Sequence, residues 1–397
     1  MTSGGIPNAE YRISKWERPN PYISTRVPPP FGFWNLGFGI SGRLWYAVVS
    51  AGFLALAGCG SRAGFRPEYR MQVTVGGTTH WGMGADWFAK LAAERTGGLV
   101  KVKPYFGGQL LRGAQLNSAQ MVANGAIDCA FESTINIAPV VAEMNVFSLP
   151  FFVGTFTAVD RIEAGGAGKK LFEAMRAVGL EPLAWGENGF RQLTNSKRPV
   201  RGLADLKGLR VRVVGTPIFV DIFRALGADP INMNWGDAVT AFQQGTVDGQ
   251  ENPMGILLSV QINQYHPYVT LWNYVVDPLV FFWNKRQWDA FPDSVKAALR
   301  GAAEEAGAYQ KALARVGLDG GESERVLRER FATTPAVAEP LVHLQSAGMT
   351  VDSLDGPAQV ALLRACQSVY QDWLPRIGMD LVAAAEADKS GPAASHE

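Results

Sequence analysis

The sequence predicts an α/β protein that folds into two lobes with a ligand cleft between them. Three observations support this prediction. Of the 397 residues, 47% are hydrophobic and 18% are charged, which is typical of a globular protein. The length favours about two compact domains rather than one. From Tyr69 onward, strand-like and helix-like segments alternate, which favours a mostly parallel sheet with helices on both faces.

Residues 1–58 are predicted to form a leader and signal segment outside this fold. Residues 44–57 are uncharged and mostly apolar, and Arg43 precedes them. A run of this length suits the core of a signal peptide and is short for a membrane-spanning helix. Residues 1–42 are rich in Pro, Gly and Arg. They are either a long cytosolic leader or an overextended start, with Val27 as the alternative initiator.

The apolar run ends in Leu56-Ala57-Gly58-Cys59. This ending resembles the lipobox of bacterial lipoproteins, and the resemblance implies that Cys59 is the first mature residue and carries the lipid. Such a lipid would anchor the protein to a membrane without spanning it. The alternative is an ordinary export signal cleaved near residues 55–57, with Cys59 incidental.

The first half of the body consists of alternating predicted strands and helices. Alternating apolar residues indicate the strands, and apolar residues at helical spacing indicate the helices. The predicted elements are strand 69–75, helix 85–95, strand 100–106, helix 114–124 and strand 127–131.

The alternation starts again in the second half. The predicted elements are strand 209–214, helix 217–226, turn 227–230, helix 237–244, a long apolar stretch 269–284, helix 294–330 with breaks at its glycines, and helix 357–385.

This restart divides the body into two lobes. Lobe I is assigned to residues 66–188 plus 278–317, and lobe II to residues 189–277 plus 318–397. A long strand within residues 269–284 is expected to be shared by both lobes and to act as a hinge. A cleft between two α/β lobes, near the carboxyl ends of strands, is the usual ligand site of this architecture.

Charge and cysteine content exclude several classes of protein. The net charge of +1 gives no field that would recruit nucleic acid, so any attraction for an anion has to be local. Cys59, Cys129 and Cys366 form no CxxC pair and the four histidines are scattered, so neither a metal site nor a cofactor is predicted. Cys129 and Cys366 could pair in an oxidising compartment, but two unpaired thiols are favoured because nothing in the spacing demands a bridge.

Catalytic motifs are not supported. The glycine-rich segment before Lys170 fails as a phosphate loop, and no GxSxG occurs. Asp248 and Glu251 are interpreted as turn and hinge residues. We therefore predict a protein that is not an enzyme. The competing class is a lyase or isomerase acting on an organic acid in the same cleft, for which His80 is the only candidate base.

Several motifs carry a resemblance to a known family. The three core segments are residues 205–217, 225–230 and 241–253, and the supporting segments are 107–110, 124–128, 147–151 and 188–197. Together they resemble the DctP-type solute-binding proteins of tripartite ATP-independent periplasmic (TRAP) transporters. The resemblance covers roughly residues 70 to 330 and implies a two-lobed periplasmic binding protein fold.

Arg212 is the principal candidate for ligand binding. Strand alternation in residues 209–214 puts Leu209 and Val211 on one face, and Arg210 and Arg212 on the other. An arginine at a strand end can grip a carboxylate with two parallel hydrogen bonds. From its residue type alone, Arg212 is equally well a solvated surface charge. The resemblance implies that Arg212, and not Arg210, makes the contact with the carboxylate.

The resemblance assigns supporting roles to two more residues. Asn252 matches a position that hydrogen-bonds the same carboxylate; alternatively, it caps a helix that begins at Pro253. Arg191 matches a second arginine that binds another polar group of the ligand; the alternative is a salt bridge at the lobe surface.

The rest of the site is less strongly indicated. Glu132, at the end of strand 127–131, either accepts hydroxyl groups of the ligand or is an internal partner of Arg191 or Arg212. His80 and Trp81 stand where the family usually has His-Pro, so this wall of the cleft departs from the pattern. Trp235 is a candidate lining residue.

The implied function is capture of a small carboxylate, followed by closure of the lobes and delivery to TRAP membrane subunits. A C4-dicarboxylate, a sugar acid, and a keto or aromatic acid all stay open as ligands. We expect a periplasmic monomer, anchored to the membrane if Cys59 is lipidated.

Overall fold

The computed structural model describes residues 64–391. The predicted leader and Cys59 lie outside the described residues. No helix within residues 64–391 combines the length and apolar character needed to cross a membrane. Cys129 and Cys366 are both buried and free, so they do not form a disulfide.

The described part of the chain contains ten strands. They are β1 (Tyr69–Val73), β2 (Val102–Tyr105), β3 (Cys129–Ser133), β4 (Leu180–Asn195), β5 (Arg210–Val213), β6 (Asp229–Asn232), β7 (Gly249–Pro253), β8 (Tyr268–Leu271), β9 (Val276–Asn284) and β10 (Thr350–Ser353).

Sixteen α-helices lie in the same residues. They are α1 (His80–Arg95), α2 (Ser118–Ala123), α3 (Thr134–Ile137), α4 (Phe156–Ala164), α5 (Gly166–Ala177), α6 (Leu203–Leu206), α7 (Pro217–Ala225), α8 (Trp235–Gln244), α9 (Met254–Ser259), α10 (Lys285–Asp289), α11 (Asp293–Arg315), α12 (Glu322–Phe331), α13 (Pro340–Ser346), α14 (Gly356–Ala365), α15 (Gln367–Ile377) and α16 (Met379–Ser390). Four 3-10 helices span Gln109–Leu111, Gln115–Asn117, Ala142–Ser148 and Ile262–Gln264.

The described strands form a mixed sheet in the order β2-β1-β3-β9-β4-β7-β5-β6, with β8 beside β4 and β10 beside β8. The outer pairs β1/β2, β1/β3, β5/β6 and β5/β7 are parallel, whereas β9 runs antiparallel to β3 and β4. Two parallel βα sets therefore flank an antiparallel centre. The predicted two-lobed α/β fold is confirmed.

Strand β4 is shared by both halves of the sheet. It pairs with β9 as far as Phe190, and with β7 and β8 from Arg191 onward. The prediction that the shared strand lies within residues 269–284 is wrong, because that stretch divides into β8 and β9. Asn273, between them, has a φ of 46°, and this left-handed conformation interrupts the extended chain.

Packing around the central strands fixes the walls of the cleft. Phe131 of β3 stands opposite Phe281 of β9, and their rings stack with centroids 3.6 Å apart. Helix α11 packs along both α1 and β4. Gly307 permits that approach, because a Cβ there would overlap the carbonyl oxygen of Trp185. The end of β3 and the start of α1 are thereby held against the shared strand.

Other predicted elements differ from the structure at their ends. Helix α1 begins at His80, five residues before the predicted start, because the Thr79 side chain accepts a hydrogen bond from the Gly82 amide at 3.0 Å. The predicted turn 227–230 includes the start of β6, and the predicted helix 114–124 begins as a 3-10 turn. The predicted helix 357–385 is broken at Cys366 and Gly378 into three helices.

The C-terminal helices reach both sides of the molecule. Helix α15 contacts α7, whereas α16 contacts α4 and α5. Asp388 of α16 accepts hydrogen bonds from the Gly166 and Ala167 amides at the start of α5. The lobe limits drawn from the sequence stay a prediction.

Candidate functional site

A cleft lies between the two lobes. One wall comes from the residues that follow β1 and β3, and the other comes from β4, β5, β7 and the first turns of α8 and α9. The carboxyl ends of β1, β3 and β5 therefore all meet at the cleft, which is where an α/β sheet usually binds its ligand.

The two lobes touch each other beside this cleft. The Gln115 side chain accepts a hydrogen bond from the backbone amide of Trp235 at 2.8 Å. The His80 ring lies against Gly255 so closely that a Cβ at Gly255 would stand 2.8 Å from Nε2. The structure is therefore in a closed arrangement.

Arg212 presents unsatisfied donors to the cleft. Its side chain is 1% exposed, and its Nε and Nη2 atoms both donate to the Met233 carbonyl oxygen, at 3.0 and 2.7 Å. The other three N–H groups of this guanidinium have no acceptor among residues 64–391, and no described carboxylate forms a salt bridge with it. The Trp235 ring lies over the guanidinium, with the ring centroid 5.6 Å from Cζ of Arg212.

Burial has the largest influence on the pKa of Arg212 and lowers it to about 10, while Glu251 opposes the shift. The side chain is still a cation at neutral pH. A desolvated cation without a carboxylate partner is energetically unfavourable. An anionic ligand that enters the cleft would supply the missing partner.

Arg210 lies at the other end of the same strand and is already paired. Its guanidinium binds the Asp248 carboxylate at 2.8 and 3.0 Å and the carbonyl oxygens of Gly245 and Thr246. Its side chain is 42% exposed. Although strand alternation puts Arg210 and Arg212 on one face, only Arg212 lines the cleft.

Arg191 is as buried as Arg212 but is surrounded by acceptors. It forms salt bridges with both Glu251 and Asp277, and it also donates to the side-chain oxygen of Asn252 at 3.1 Å. Burial by itself lowers the pKa of Arg191, but the two carboxylates outweigh burial and raise that pKa above its usual range. The salt bridge proposed from the sequence exists, but it lies beside the cleft and not at the surface of a lobe.

Asn252 lies within strand β7, where it stands opposite Gln192 of β4. The alternative interpretation as a helix cap is wrong, because α9 begins at Met254 and Pro253 occupies the cap position. The Asn252 amide nitrogen donates to Gln250 at 2.6 Å, and its second hydrogen has no acceptor among the described residues. Asn252 lines the cleft and keeps this donor available.

Asp277 and Asn188 add acceptors to the wall. Asp277 accepts hydrogen bonds from Ser133, from the Asn188 amide nitrogen at 2.8 Å and from Arg191 at 3.0 Å. These bonds fix the orientation of the Asn188 amide, since a carboxylate requires a donor. The Asn188 side-chain oxygen is buried and has no hydrogen-bond partner in the described structure.

Glu132 lies behind the wall of the cleft. It accepts hydrogen bonds from Thr74 at 2.7 Å and from Asn136 at 2.7 Å, and both donors line the cleft. The alternative that paired Glu132 with Arg191 or Arg212 is wrong, because its partners are neutral. Burial raises the pKa of Glu132 to about 7, while the bonds from Asn136 and Thr74 oppose the shift.

His80 does not belong to the described lining of the cleft. Its Nδ1 atom accepts from the Gln310 amide nitrogen at 2.8 Å, so the neutral ring carries its proton on Nε2, which has no acceptor in the described structure. Burial lowers the pKa of His80 to about 4. The competing enzyme hypothesis needed His80 as a base in the cleft, and no described contact gives it that position.

Two tryptophans close the cleft. Trp235, at the start of α8, lies over Arg212, as its place among the lining candidates suggested. Trp81 also lines the cleft, and its indole N–H donates to the Phe131 carbonyl oxygen at 2.7 Å. The Trp81 ring therefore belongs to the rigid core of its lobe.

Several lining residues carried no signal in the sequence. They are Thr74, Gln115, Ser133, Asn136 and Asp277. Their neighbours along the chain are unremarkable, although the positions of Thr74 and Ser133 at the ends of strands could have singled them out.

No group of three or more His, Cys, Asp or Glu side chains that could hold a metal occurs among residues 64–391.

Comparison with known proteins identifies the family. Residues 72–317 match the family described as bacterial extracellular solute-binding protein, family 7, of the DctP type. The chain is 31% identical over 272 residues to the 2,3-diketo-L-gulonate-binding periplasmic protein of Escherichia coli strain K12, covering 68% of this chain and 80% of that protein.

Two solved structures share the fold. One is a TRAP periplasmic solute-binding protein from Ralstonia eutropha with bound (S)-2-acetolactate, at 37% identity and a TM-score of 0.76 over 82% of this chain and 99% of that chain. The other is a sugar acid binding protein from Advenella mimigardefordensis with galactonate, at 27% identity and a TM-score of 0.71 over 81% and 97%. The chain belongs to the DctP-type solute-binding proteins of TRAP transporters.

Proposed function

We propose that this protein captures a small organic acid by clamping its carboxylate with Arg212, and delivers it to the membrane subunits of a TRAP transporter. The observation that carries the proposal is the buried guanidinium of Arg212, which faces the cleft with three N–H groups that no described residue accepts. A carboxylate is the planar, two-pronged anion that matches this geometry.

Asn252 and Arg191 complete the binding site in this proposal. The free amide hydrogen of Asn252 donates to the same carboxylate as Arg212. Arg191 mainly holds the wall together through its two salt bridges, and one remaining Nη1 hydrogen can reach a hydroxyl or keto oxygen of the ligand. Glu132 acts indirectly, by orienting Thr74 and Asn136.

Closure of the lobes accompanies capture. The contact between Gln115 and Trp235 joins the lobes beside Arg212, so an anion held there favours the closed state. The 16-residue strand β4, which runs through both halves of the sheet, is the element about which they would move. We infer a periplasmic monomer, which is anchored to the membrane if Cys59 carries a lipid.

Similar proteins support an acid as the ligand. The Ralstonia protein holds acetolactate and the Advenella protein holds galactonate. Both ligands are small acids that carry a single carboxylate together with further oxygen groups, which suits a site with one open guanidinium and several neutral polar side chains.

A thermal-shift screen of the purified protein tests the proposal. Each organic acid is compared with its own amide or alcohol, which has the same shape without the charge. We expect stabilisation by a subset of acids and by none of the uncharged analogues. Stabilisation by the uncharged analogues to the same degree, or by no acid, would contradict the proposal. Conversion of a stabilising acid to a product would instead favour the enzyme hypothesis.

A further inference from the structure

We infer that the ligand is a monocarboxylate that carries at least one hydroxyl group, and that the cleft rejects dicarboxylates. The inference rests on the proposed function and narrows the substrate class. It is carried by the distribution of charge in the cleft and by one buried acceptor without a donor.

Charge in the cleft favours a monoanion. Among the residues that the structure describes, Arg191 and Arg212 are the only cations in its lining. Arg191 is bound by Glu251 and Asp277, so carboxylates of the protein already balance its charge. Arg212 is therefore the one cation that lacks a carboxylate partner, and a single ligand carboxylate uses it. A second carboxylate would find no free cation among the described lining residues.

One carboxylate in the lining adds repulsion against a second carboxylate of the ligand. Asp277 lines the cleft directly. In a buried site like charges interact strongly, since little water screens them. A dicarboxylate whose second carboxylate reaches Asp277 would place two like charges side by side.

The Asn188 side-chain oxygen calls for a hydroxyl group. Asn188 is 3% exposed and lines the cleft, and its amide nitrogen donates a hydrogen bond to the Asp277 carboxylate. Its oxygen consequently accepts nothing from the described residues. An unsatisfied buried acceptor is costly, and a ligand hydroxyl supplies the donor that removes this cost. A hydrocarbon at the same place would leave the acceptor unsatisfied.

Calorimetric titration with matched ligands tests both parts of the inference. The pairs are lactate with propionate and 2-hydroxy-3-methylbutanoate with 3-methylbutanoate, and the dicarboxylates are malate and succinate. We expect each hydroxy acid to bind at least about tenfold more tightly than its deoxy partner. We expect the better hydroxy monocarboxylate to bind at least about tenfold more tightly than either dicarboxylate.

The outcomes separate this inference from the proposed function. Tight binding of malate or succinate, or equal binding within the pairs, would overturn the inference while leaving an acid-binding protein. Binding of no acid would overturn both. Two variants sharpen the result: Asp277→Asn should raise the affinity for malate relative to lactate, and Asn188→Leu should bring each hydroxy-to-deoxy ratio towards one. If either variant fails to fold, the ligand series on the unaltered protein still decides.

Discussion

Arg191 and Arg212 lie on strands β4 and β5, which flank β7 in the same sheet, and both are almost fully buried. Arg191 is held by two carboxylates, which keep its pKa high. Arg212 contacts one carbonyl oxygen and has its pKa lowered to about 10 by burial. Two residues of the same type, with the same burial and on the two strands that flank β7, thus have different charge environments.

The difference separates a structural role from a ligand-binding role. The partners of Arg191 come from its own protein, so its interaction energy is already part of folding. Arg212 retains an unfavourable desolvation free energy that the fold does not offset. Buried charges without a partner in the protein are typical of functional sites, where a bound ligand supplies the missing partner.

The largest expected effect is on stability at Arg191. Arg191→Met leaves Glu251 and Asp277 as buried carboxylates without their cation, so the free energy of unfolding should fall by about 3 to 5 kcal/mol. Urea denaturation followed by circular dichroism measures this. The matched control, Arg212→Met, removes a cation that has no carboxylate and should leave the stability of the ligand-free protein unchanged or higher. Equal losses in the two variants would remove the distinction between the arginines.

Glu132 extends the comparison to a buried carboxyl group with neutral partners. Its pKa is raised from 4.5 to about 7, so the folded protein binds more protons than the unfolded chain between these pH values. The stabilisation associated with Glu132 is therefore complete below pH 4.5 and is lost as the pH rises through about 7, by at most about 3 kcal/mol. Glu132→Gln should show a smaller loss of stability between pH 4.5 and 8 in urea titrations. A parallel pH profile in the two proteins would argue against this assignment.

A smaller effect is expected where the lobes meet at Gly255. Gly255→Ala would push against the His80 ring, and inserting one methyl group into a tight contact costs about 1 to 3 kcal/mol. If opening of the lobes relieves the overlap, the affinity for the acid should fall by about tenfold or more. Gly356→Ala is the control, because nothing lies within 4 Å of a Cβ at that helical position. Unaltered affinity in Gly255→Ala would mean that this contact does not belong to closure.

Local sequence patterns predicted the parallel βα units well. Residues 209–226 became β5 and α7 with nearly the predicted limits, because strand alternation, a turn and Pro217 at the first helical position all agree there. The family motif in the same segment drew attention to Arg212. In this segment, the local sequence pattern favours the same strand and helix that the tertiary structure contains.

The polar strands could not be recognised in this way. Residues 249–253 have the composition of a turn, yet they form β7, since Glu251 and Asn252 are buried against Arg191 from a strand about 60 residues earlier. Such a pairing is invisible to periodicity within one segment. The same holds for Asn188 and Asp277, whose hydrogen bond joins β4 and β9 across 89 residues. The sequence therefore indicated Arg212, the cation without a carboxylate partner. It did not indicate the buried salt bridges and hydrogen bonds that surround this residue.

The most direct test of the central claim is calorimetric titration of Arg212→Ala with an acid that stabilises the unaltered protein, beside Arg210→Ala as the matched control. Loss of the buried cation leaves the ligand carboxylate unpaired, so Arg212→Ala should weaken binding by about 100-fold or more. Arg210→Ala removes an exposed side chain that is bound to Asp248, and should leave the affinity unchanged. A loss below about tenfold in Arg212→Ala, or an equal loss in Arg210→Ala, would contradict Arg212 as the carboxylate clamp.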